Sequence, residues 1–239
     1  MAYIEQFYSV TINDVNAEAK LTNKALIRFL ETVACYHSDL VHHGVMEIQT
    51  TRLTWMVLGW KIKILSRPQY GERLKVVTWA RMTDKITTHR DFKVYNEKEE
   101  LVAVASSKWA LYNVDKGLCK SDSLITDCYS PETECVFEEG KLKKLSEPSD
   151  YEKSLSVTVC RRDIDVNRHV HNLNYLDYAY EVIPDSLFLN EADNVEITYK
   201  AQAKLGEELE ILYSHADGEY TAVIKKKSDD TTSAIVKLY

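Results

Sequence analysis

Glycine and proline are scarce in this sequence, with seven glycines and four prolines among 239 residues. So low a content disfavours disorder, and it also disfavours glycine-rich loops that bind nucleotides. The motifs GxGxxG, GxSxG and GxxxxGK followed by Ser or Thr are all absent. Dinucleotide-binding folds, serine-hydrolase elbows and P-loops therefore have no support.

Basic residues are outnumbered, with 30 Lys and Arg against 37 Asp and Glu. Binding to a nucleic-acid backbone needs a basic face, so we expect no nucleic-acid partner. No apolar run approaches the roughly 20 residues that a membrane-spanning helix needs, so we expect no membrane span. Met1–Gln6 has neither the basic nor the apolar region of a secretory signal, and we expect a soluble, cytoplasmic protein.

The cysteines are odd in number and form no CxxC pair; they are Cys35, Cys119, Cys128, Cys135 and Cys160. Their spacings match no zinc framework, and we expect reduced thiols. His37, His42 and His43 fall on a predicted helix, but their offsets do not place all three on one face, and no HExxH motif is present. We therefore expect neither a metal nor an organic cofactor.

Two segments have the apolar periodicity of a helix packed on a core, at residues 23–41 and 172–183. The apolar face of the first includes Leu26 and Leu40, and Pro184 ends the second. Most other ordered segments are rich in β-formers and predict strands, at 74–79, 90–95, 101–112, 195–199, 209–211, 220–224 and 233–238.

The order strand, helix and several strands occurs twice, which suggests a duplication. Two short strings repeat with it, Ser-Val-Thr at 9–11 and 156–158 and Asp-Val-Asn at 14–16 and 165–167. In this register Glu18 of the first half corresponds to His169 of the second. A helix wrapped by a curved antiparallel sheet, made twice, predicts an α+β class with a tandem (double) hot-dog fold.

The predicted domains are an N-terminal hot dog at 1–130 and a C-terminal hot dog at 151–239, joined by a linker at 131–150. The linker is too long for an unstructured loop in a compact domain. We therefore expect Cys135–Phe137 within it to pack across a sheet.

The densest group of reactive side chains lies at residues 163–172, directly before the second predicted helix. It contains two carboxylates, two imidazoles and two amides, those of Asp163, Asp165, His169, His171, Asn167 and Asn172. Acyl transfer needs a base to activate water, donors to orient a thioester, and N–H groups at a helix start to stabilise an oxyanion. The alternative is turn and capping chemistry, with Asn172 as the helix N-cap.

The string Asp165-Val166-Asn167-Arg168-His169-Val170, followed by Asn172 and Tyr175-Leu176, resembles the D-x-N-x-H-V-N-N signature of the acyl-ACP thioesterases. These are double hot-dog enzymes of plants and bacteria that act on fatty acyl thioesters of acyl carrier protein (ACP). The first half is also similar to that family, at 55–65, 67–68, 71–72 and 76–79. The resemblance covers nearly the whole chain.

The resemblance implies that Asp165, Asn167 and His169 form the catalytic set. The family usually has a downstream Glu, often followed by Cys, where this chain has Gln202-Ala203. Gln202 can orient a water but cannot act as a base, so that duty falls on Asp165, as general base or as nucleophile. We expect His169 and nearby backbone N–H groups to polarise the thioester carbonyl. The candidate substrate-binding residues are therefore Val170, His171 and Asn172.

The resemblance also implies an acyl-chain site in the first half and ACP as the partner. Trp55 and Trp60 are candidates for lining an apolar channel, although ordinary core packing explains them as well. ACP is acidic, so docking needs a basic patch. The motif supplies Arg161, Arg162 and Arg168, and the linker supplies the alternative set of Lys141, Lys143 and Lys144.

The leading interpretation is hydrolysis of fatty acyl-ACP, which releases free fatty acid and terminates chain elongation. Two alternatives stay open on the same fold, an acyl-CoA thioesterase and a non-catalytic acyl-thioester-binding protein, the latter made plausible by the missing Glu. We expect a monomer or a homodimer, because a double hot dog already forms within one chain the pairing that single-domain relatives make by dimerising.

Overall fold

The computed structural model describes residues 2–82, 86–120 and 123–239. They form two compact units, Met1–Leu142 (unit 1) and Lys143–Tyr239 (unit 2). Each unit has a helix that packs on an antiparallel sheet, which confirms the predicted α+β tandem hot-dog fold. The unit boundary divides the expected linker, giving residues 131–142 to unit 1 and residues 143–150 to unit 2.

Unit 1 combines long strands with one long helix. Its described elements are β1 Tyr3–Ser9, α1 Asn23–Leu40, α2 Ile48–Thr51, β2 Leu53–Ile64, β3 Arg73–Met82, β4 Thr87–Tyr95, β5 Leu101–Asn113, β6 Gly117–Leu118 and α3 Ser123–Thr126. The sheet is antiparallel in the order β1–β3–β4–β5–β2, and the short β6 pairs with β5.

Helix α1 packs on the sheet of unit 1, in agreement with its apolar periodicity. Leu26 and Leu30 are fully buried, and Thr22 caps the helix by accepting a hydrogen bond from Ala25 N at 3.1 Å. Leu40, which was expected on the apolar face, is 42% exposed because the helix ends there. No helix in the described residues is long and apolar enough to cross a membrane.

Unit 2 repeats the arrangement with a shorter helix. Its described elements are β7 Lys153–Thr158, α4 Asn174–Tyr180, α5 Asp185–Leu189, β8 Asn194–Tyr199, β9 Glu208–Ala216, β10 Glu219–Lys226 and β11 Thr232–Leu238. The antiparallel order is β7–β9–β10–β11–β8. The helix predicted at 172–183 is thus shorter than expected, and Pro184 begins a separate short helix, α5.

Residues 131–142, here called the strap, pack across the sheet of unit 1. Val136 N donates to Asp91 Oδ2 at 2.9 Å, and the Lys61 ammonium lies 4.8 Å from the centre of the Phe137 ring. The strap ends where Leu142 N donates to a β4 side chain at 3.0 Å. The prediction that Cys135–Phe137 packs on a sheet is confirmed.

The loops that precede α1 and α4 have the same backbone pattern. A 3-10 turn ends at Asp14 in unit 1 and at Asp163 in unit 2. Each carboxylate accepts a hydrogen bond from the N–H three residues earlier, that of Thr11 (2.8 Å) or Cys160 (2.7 Å). Asp14 therefore corresponds to Asp163, and the predicted match of Asp14 with Asp165 is wrong by two residues.

The corrected register continues through both loops. Equivalent backbone bonds, each 2.8 Å long, run from Leu21 N to Pro68 O and from Val170 N to Ala203 O. His169 consequently corresponds to Lys20 and not to Glu18. The shared three-letter strings gave the wrong register because so short a match can occur by chance. The backbone hydrogen bonds align the two loops along their whole length.

Candidate active site

The loop between β7 and α4 holds the motif in a tight turn. Asp165 N donates to His169 O at 2.9 Å, and Arg168 N donates to Asp165 O at 3.0 Å. Arg168 adopts the left-handed backbone conformation (φ 65°) that this turn requires. A bridge between Ile164 and Val170 joins the two ends of the loop. Side chains four residues apart are thereby brought to one place.

The carboxylate of Asp165 is held by the backbone of its own turn. Its Oδ1 accepts hydrogen bonds from Asn167 N at 2.8 Å and from His169 N at 3.3 Å. Its Oδ2 lies 3.4 Å from Asn167 Nδ2, which leaves lone pairs on Oδ2 for a water or a substrate. The structure thus brings together the three residues expected to form the catalytic set.

The imidazole of His169 is half-buried, and its Nδ1 has no hydrogen-bond partner among the described residues. Burial lowers the pKa of His169. The carboxylates of Asp165 and Glu207 oppose this effect on the pKa, whereas Lys204 and Lys226 lower it further. A pKa below its ordinary value favours the neutral form of His169 at pH 7, in which one nitrogen donates and one accepts.

Two of the three backbone N–H groups expected to face the thioester are engaged elsewhere. Val170 N donates to Ala203 O at 2.8 Å. His171 N donates to Asp163 O, also at 2.8 Å. The N–H of Asn172 donates no hydrogen bond within the described part of the chain, which makes it the candidate oxyanion donor.

The start of α4 is fixed by an imidazole. His171 Nδ1 accepts a hydrogen bond from Leu173 N at 3.2 Å, and the N-cap residue is Leu173. The alternative assignment of Asn172 as the N-cap is therefore wrong. The carbonyl of Asn172 instead accepts a hydrogen bond from the Tyr199 hydroxyl at 3.2 Å.

Gln202 lies beside the motif loop because its neighbour Ala203 accepts the hydrogen bond from Val170 N. Gln202 is exposed, and its side chain has no hydrogen bond among the described residues. Its amide is therefore available to a water or a substrate, as the expected positioning role requires.

Glu207 is a second carboxylate near the motif, and it raises the pKa of His169. However, Glu207 Oε2 accepts a hydrogen bond from Lys204 N at 2.9 Å. Glu72 of unit 1 makes the same bond with Gln69 N, at 3.0 Å. Because this hydrogen bond from a backbone N–H to a glutamate occurs in both units, we assign Glu207 a structural role in the turn and not a catalytic role.

Sequence comparisons assign the chain to a family. The family model described as acyl-ACP thioesterase N-terminal domain matches residues 2–121, and the one described as acyl-ACP thioesterase C-terminal domain matches residues 146–237. This chain belongs to the acyl-ACP thioesterase family.

Acyl-ACP thioesterases are also its relatives among curated proteins and solved structures. An oleoyl-acyl carrier protein thioesterase, chloroplastic, of Coriandrum sativum is 26% identical over 94% of this chain and 66% of its own length. A palmitoyl-acyl carrier protein thioesterase, chloroplastic, of Gossypium hirsutum is 26% identical over 75% of this chain and 46% of its own length. The chain thus spans about two thirds or less of these relatives.

Two solved thioesterases have the same fold. An acyl-ACP thioesterase from Bacteroides thetaiotaomicron superposes with a TM-score of 0.85 at 23% identity, covering 99% of this chain and 96% of that one. The 12:0-ACP thioesterase from Umbellularia californica gives a TM-score of 0.86 at 18% identity, with the same two coverages. At such identities the likeness establishes the shared fold.

The arginines expected to dock a carrier protein are all exposed. Arg162 Nε lies 3.9 Å from Asp163 Oδ1, whereas Arg161 and Arg168 form no ion pair within the described residues. The alternative linker lysines are exposed as well, at Lys141, Lys143 and Lys144. Exposure alone therefore does not separate the two candidate patches.

The two tryptophans proposed for the acyl channel have different surroundings. Trp55 lines a cavity in unit 1 and donates from Nε1 to the Tyr129 hydroxyl at 2.9 Å. Trp60 is fully buried, packs against Phe92 and Trp109, and does not line that cavity. Trp55 is accordingly the better placed of the two to contact a ligand.

The cavity also contains a cation that sequence reasoning missed. Arg90 on β4 lines it, and Arg90 Nη1 lies 3.0 Å from His37 Nδ1. A guanidinium can only donate, so this nitrogen of His37 accepts. The periodicity of α1 places His37 on its inner face, but nothing in the sequence indicates its partner. Among the described residues, no group of three His, Cys, Asp or Glu side chains could hold a metal ion.

Proposed function

We propose that this chain hydrolyses the thioester of fatty acyl-ACP and releases free fatty acid. The placement of the Asp165 carboxylate carries the proposal, because two backbone N–H groups hold it beside the neutral imidazole of His169. Family membership supports the substrate class, since curated relatives are named as oleoyl- and palmitoyl-ACP thioesterases.

Two routes use the same groups. Asp165 Oδ2 takes a proton from a water whose oxygen attacks the thioester carbon, or it attacks that carbon itself and water then hydrolyses the resulting anhydride. In both routes the C–S bond breaks, and the carrier sulfur leaves and takes up a proton. Asn172 N–H and an imidazole N–H of His169 stabilise the oxyanion, while Asn167 and Gln202 position Asp165 and the water.

We further propose that unit 1 binds the acyl chain and that ACP docks on Arg161, Arg162 and Arg168. The cavity beside Trp55 supports the first point, since a fatty chain needs an apolar pocket. The exposed guanidinium groups support the second, because an acidic carrier is attracted to a local basic patch even when the whole chain is acidic.

Steady-state hydrolysis of palmitoyl-ACP and octanoyl-ACP, compared with the matching CoA thioesters, tests the proposal. The Asp165→Asn variant should lose hydrolysis. Asn16→Asp is the matched control, because it makes the reverse exchange at the equivalent position of unit 1 and should retain full activity. Equal rates for wild type and Asp165→Asn would exclude the assigned carboxylate.

The other outcomes separate the alternatives. Faster hydrolysis of the CoA esters would identify an acyl-CoA thioesterase. Binding of acyl-ACP without hydrolysis would favour a non-catalytic binding protein. That second candidate is supported by Gln202, which cannot serve as a base in the place where the family usually has Glu.

A further inference from the structure

Arg90 is a buried cation that has no carboxylate partner among the described residues. It is 6% exposed, and its Nη1 lies 3.0 Å from His37 Nδ1 and 3.3 Å from Thr78 Oγ1. The guanidinium carbon lies 5.7 Å from the centre of the Tyr129 ring. No carboxylate in the described residues forms an ion pair with it. All hydrogen bonds of the guanidinium within that part of the chain come from one nitrogen, Nη1.

A second buried arginine in the same sheet has a carboxylate as its counter-charge. Arg81 on β3 is also 6% exposed, but its Nε lies 3.0 Å from Asp91 Oδ2. Burial of a charge without an opposite charge is strongly unfavourable. Burial lowers the pKa of Arg90 to about 10, so the guanidinium still carries its charge at neutral pH. The charge on Arg90 is therefore available to a ligand.

Arg90 forms part of the wall of the unit 1 cavity, which has a volume of about 90 Å³. The rest of the wall is mostly apolar, with Trp55, Trp109 and Ala34, and its polar members include His43 and His89. Apolar walls with one charged group are typical of sites that orient an amphiphilic ligand by its polar end. Such a wall suits a ligand with an apolar part and an anionic group.

We propose that this cavity binds an aliphatic carboxylate, with the chain against the aromatic walls and the carboxylate on Arg90. Guanidinium and carboxylate are complementary in charge and in planar geometry. Nε and Nη2 of Arg90 have no hydrogen bond with the described residues and can form a bidentate pair with a carboxylate. The inference that the ligand is aliphatic depends on the proposed function, whereas the inference that it is an anion depends on the buried charge of Arg90. The carboxylate can come from the distal end of an acyl substrate or from a free fatty acid.

Calorimetric titration of the whole protein with octanoate and with 1-octanol tests the site, because the two probes share one chain length. Octanoate should bind at least tenfold more tightly. Arg90→Gln should abolish this preference, and Arg90→Lys should retain part of it. Arg73→Gln removes an exposed guanidinium from β3 and should change nothing. Equal binding of both probes to wild type, or an unchanged preference in Arg90→Gln, would overturn the proposal.

Hydrolysis assays then distinguish the two sources. An Arg90-dependent preference for an octanoyl-ACP that carries a distal carboxyl over plain octanoyl-ACP assigns the site to the substrate. Inhibition by octanoate without that preference assigns it to free fatty acid. If no thioester is hydrolysed, the proposed function fails, but the titration still decides whether Arg90 binds carboxylates.

Discussion

Asn16 of unit 1 and Asp165 of unit 2 make the same hydrogen bonds in equivalent loops. Asn16 Oδ1 accepts from the N–H groups of residues 18 and 20 at 3.0 and 3.1 Å. Asp165 Oδ1 accepts from those of residues 167 and 169 at 2.8 and 3.3 Å. An amide oxygen therefore suffices for the turn, which does not require the negative charge of Asp165.

This equivalence predicts different stabilities for two inactive variants. The free energy of unfolding of Asp165→Asn should lie within about 0.5 kcal/mol of the wild-type value, because the amide oxygen still accepts the hydrogen bonds of the turn. Asp165→Ala should lose about 1–2 kcal/mol, because two N–H groups lose their acceptor. Both should hydrolyse acyl-ACP at least about 10²-fold more slowly. Urea unfolding and steady-state rates measure these effects, and equal stability of the two variants would contradict the role of Oδ1.

The lowered pKa of His169 predicts a dependence of stability on pH. The folded pKa lies below the ordinary value of 6.5, so the unfolded chain binds a proton first as the pH falls. The stabilisation is complete above pH 6.5 and is lost as the pH falls through the folded pKa. Wild type should therefore lose more stability than His169→Gln between pH 7.5 and pH 5. Urea unfolding at both pH values tests this, and an NMR titration of the imidazole with a pKa of 6.5 or above would refute it.

Charge reversal of the arginine patch should weaken carrier binding. In Arg161→Glu with Arg162→Glu, we expect KM for acyl-ACP to rise about tenfold at low salt and less at high salt, with kcat unchanged. KM for a small acyl-pantetheine thioester should not change. Lys153→Glu, at an exposed position of β7, is the control. An unchanged KM for acyl-ACP would reject docking on this patch.

The buried ion pair of unit 1 should matter far more than an exposed one. Asp91→Asn leaves the buried Arg81 without its counter-charge and should lower the free energy of unfolding by about 3–5 kcal/mol. Glu134→Gln breaks the partly exposed pair with Lys93 and should lower it by less than about 1 kcal/mol. Urea unfolding of both variants decides the matter, and similar losses would show that burial does not control the effect.

Local signals in the sequence were enough for the helix and the motif. Thr22 caps α1 and Leu26 lies on its buried face, as the periodicity predicts. Asp165 and His169 are four residues apart, so one turn brings them together without help from the rest of the fold. The resemblance identified the family through that same short segment.

Features that depend on tertiary structure could not be predicted in this way. Arg90 meets Tyr129 and His37 only because β4, α1 and a distant turn pack against one cavity. The correspondence of Lys20 with His169 follows from backbone hydrogen bonds, which the amino-acid sequence does not reveal.

The strap determines where unit 1 can be separated from the rest of the chain. Val136 N–H donates a hydrogen bond to the carboxylate of the buried Asp91, and Leu142 N–H donates to His89 Nε2. A fragment that stopped at residue 130 would lose both donors and admit water to a carboxylate that is 0% exposed. A fragment of unit 1 made by expression or by limited proteolysis should therefore extend through Leu142, and a fusion partner should be joined after that residue.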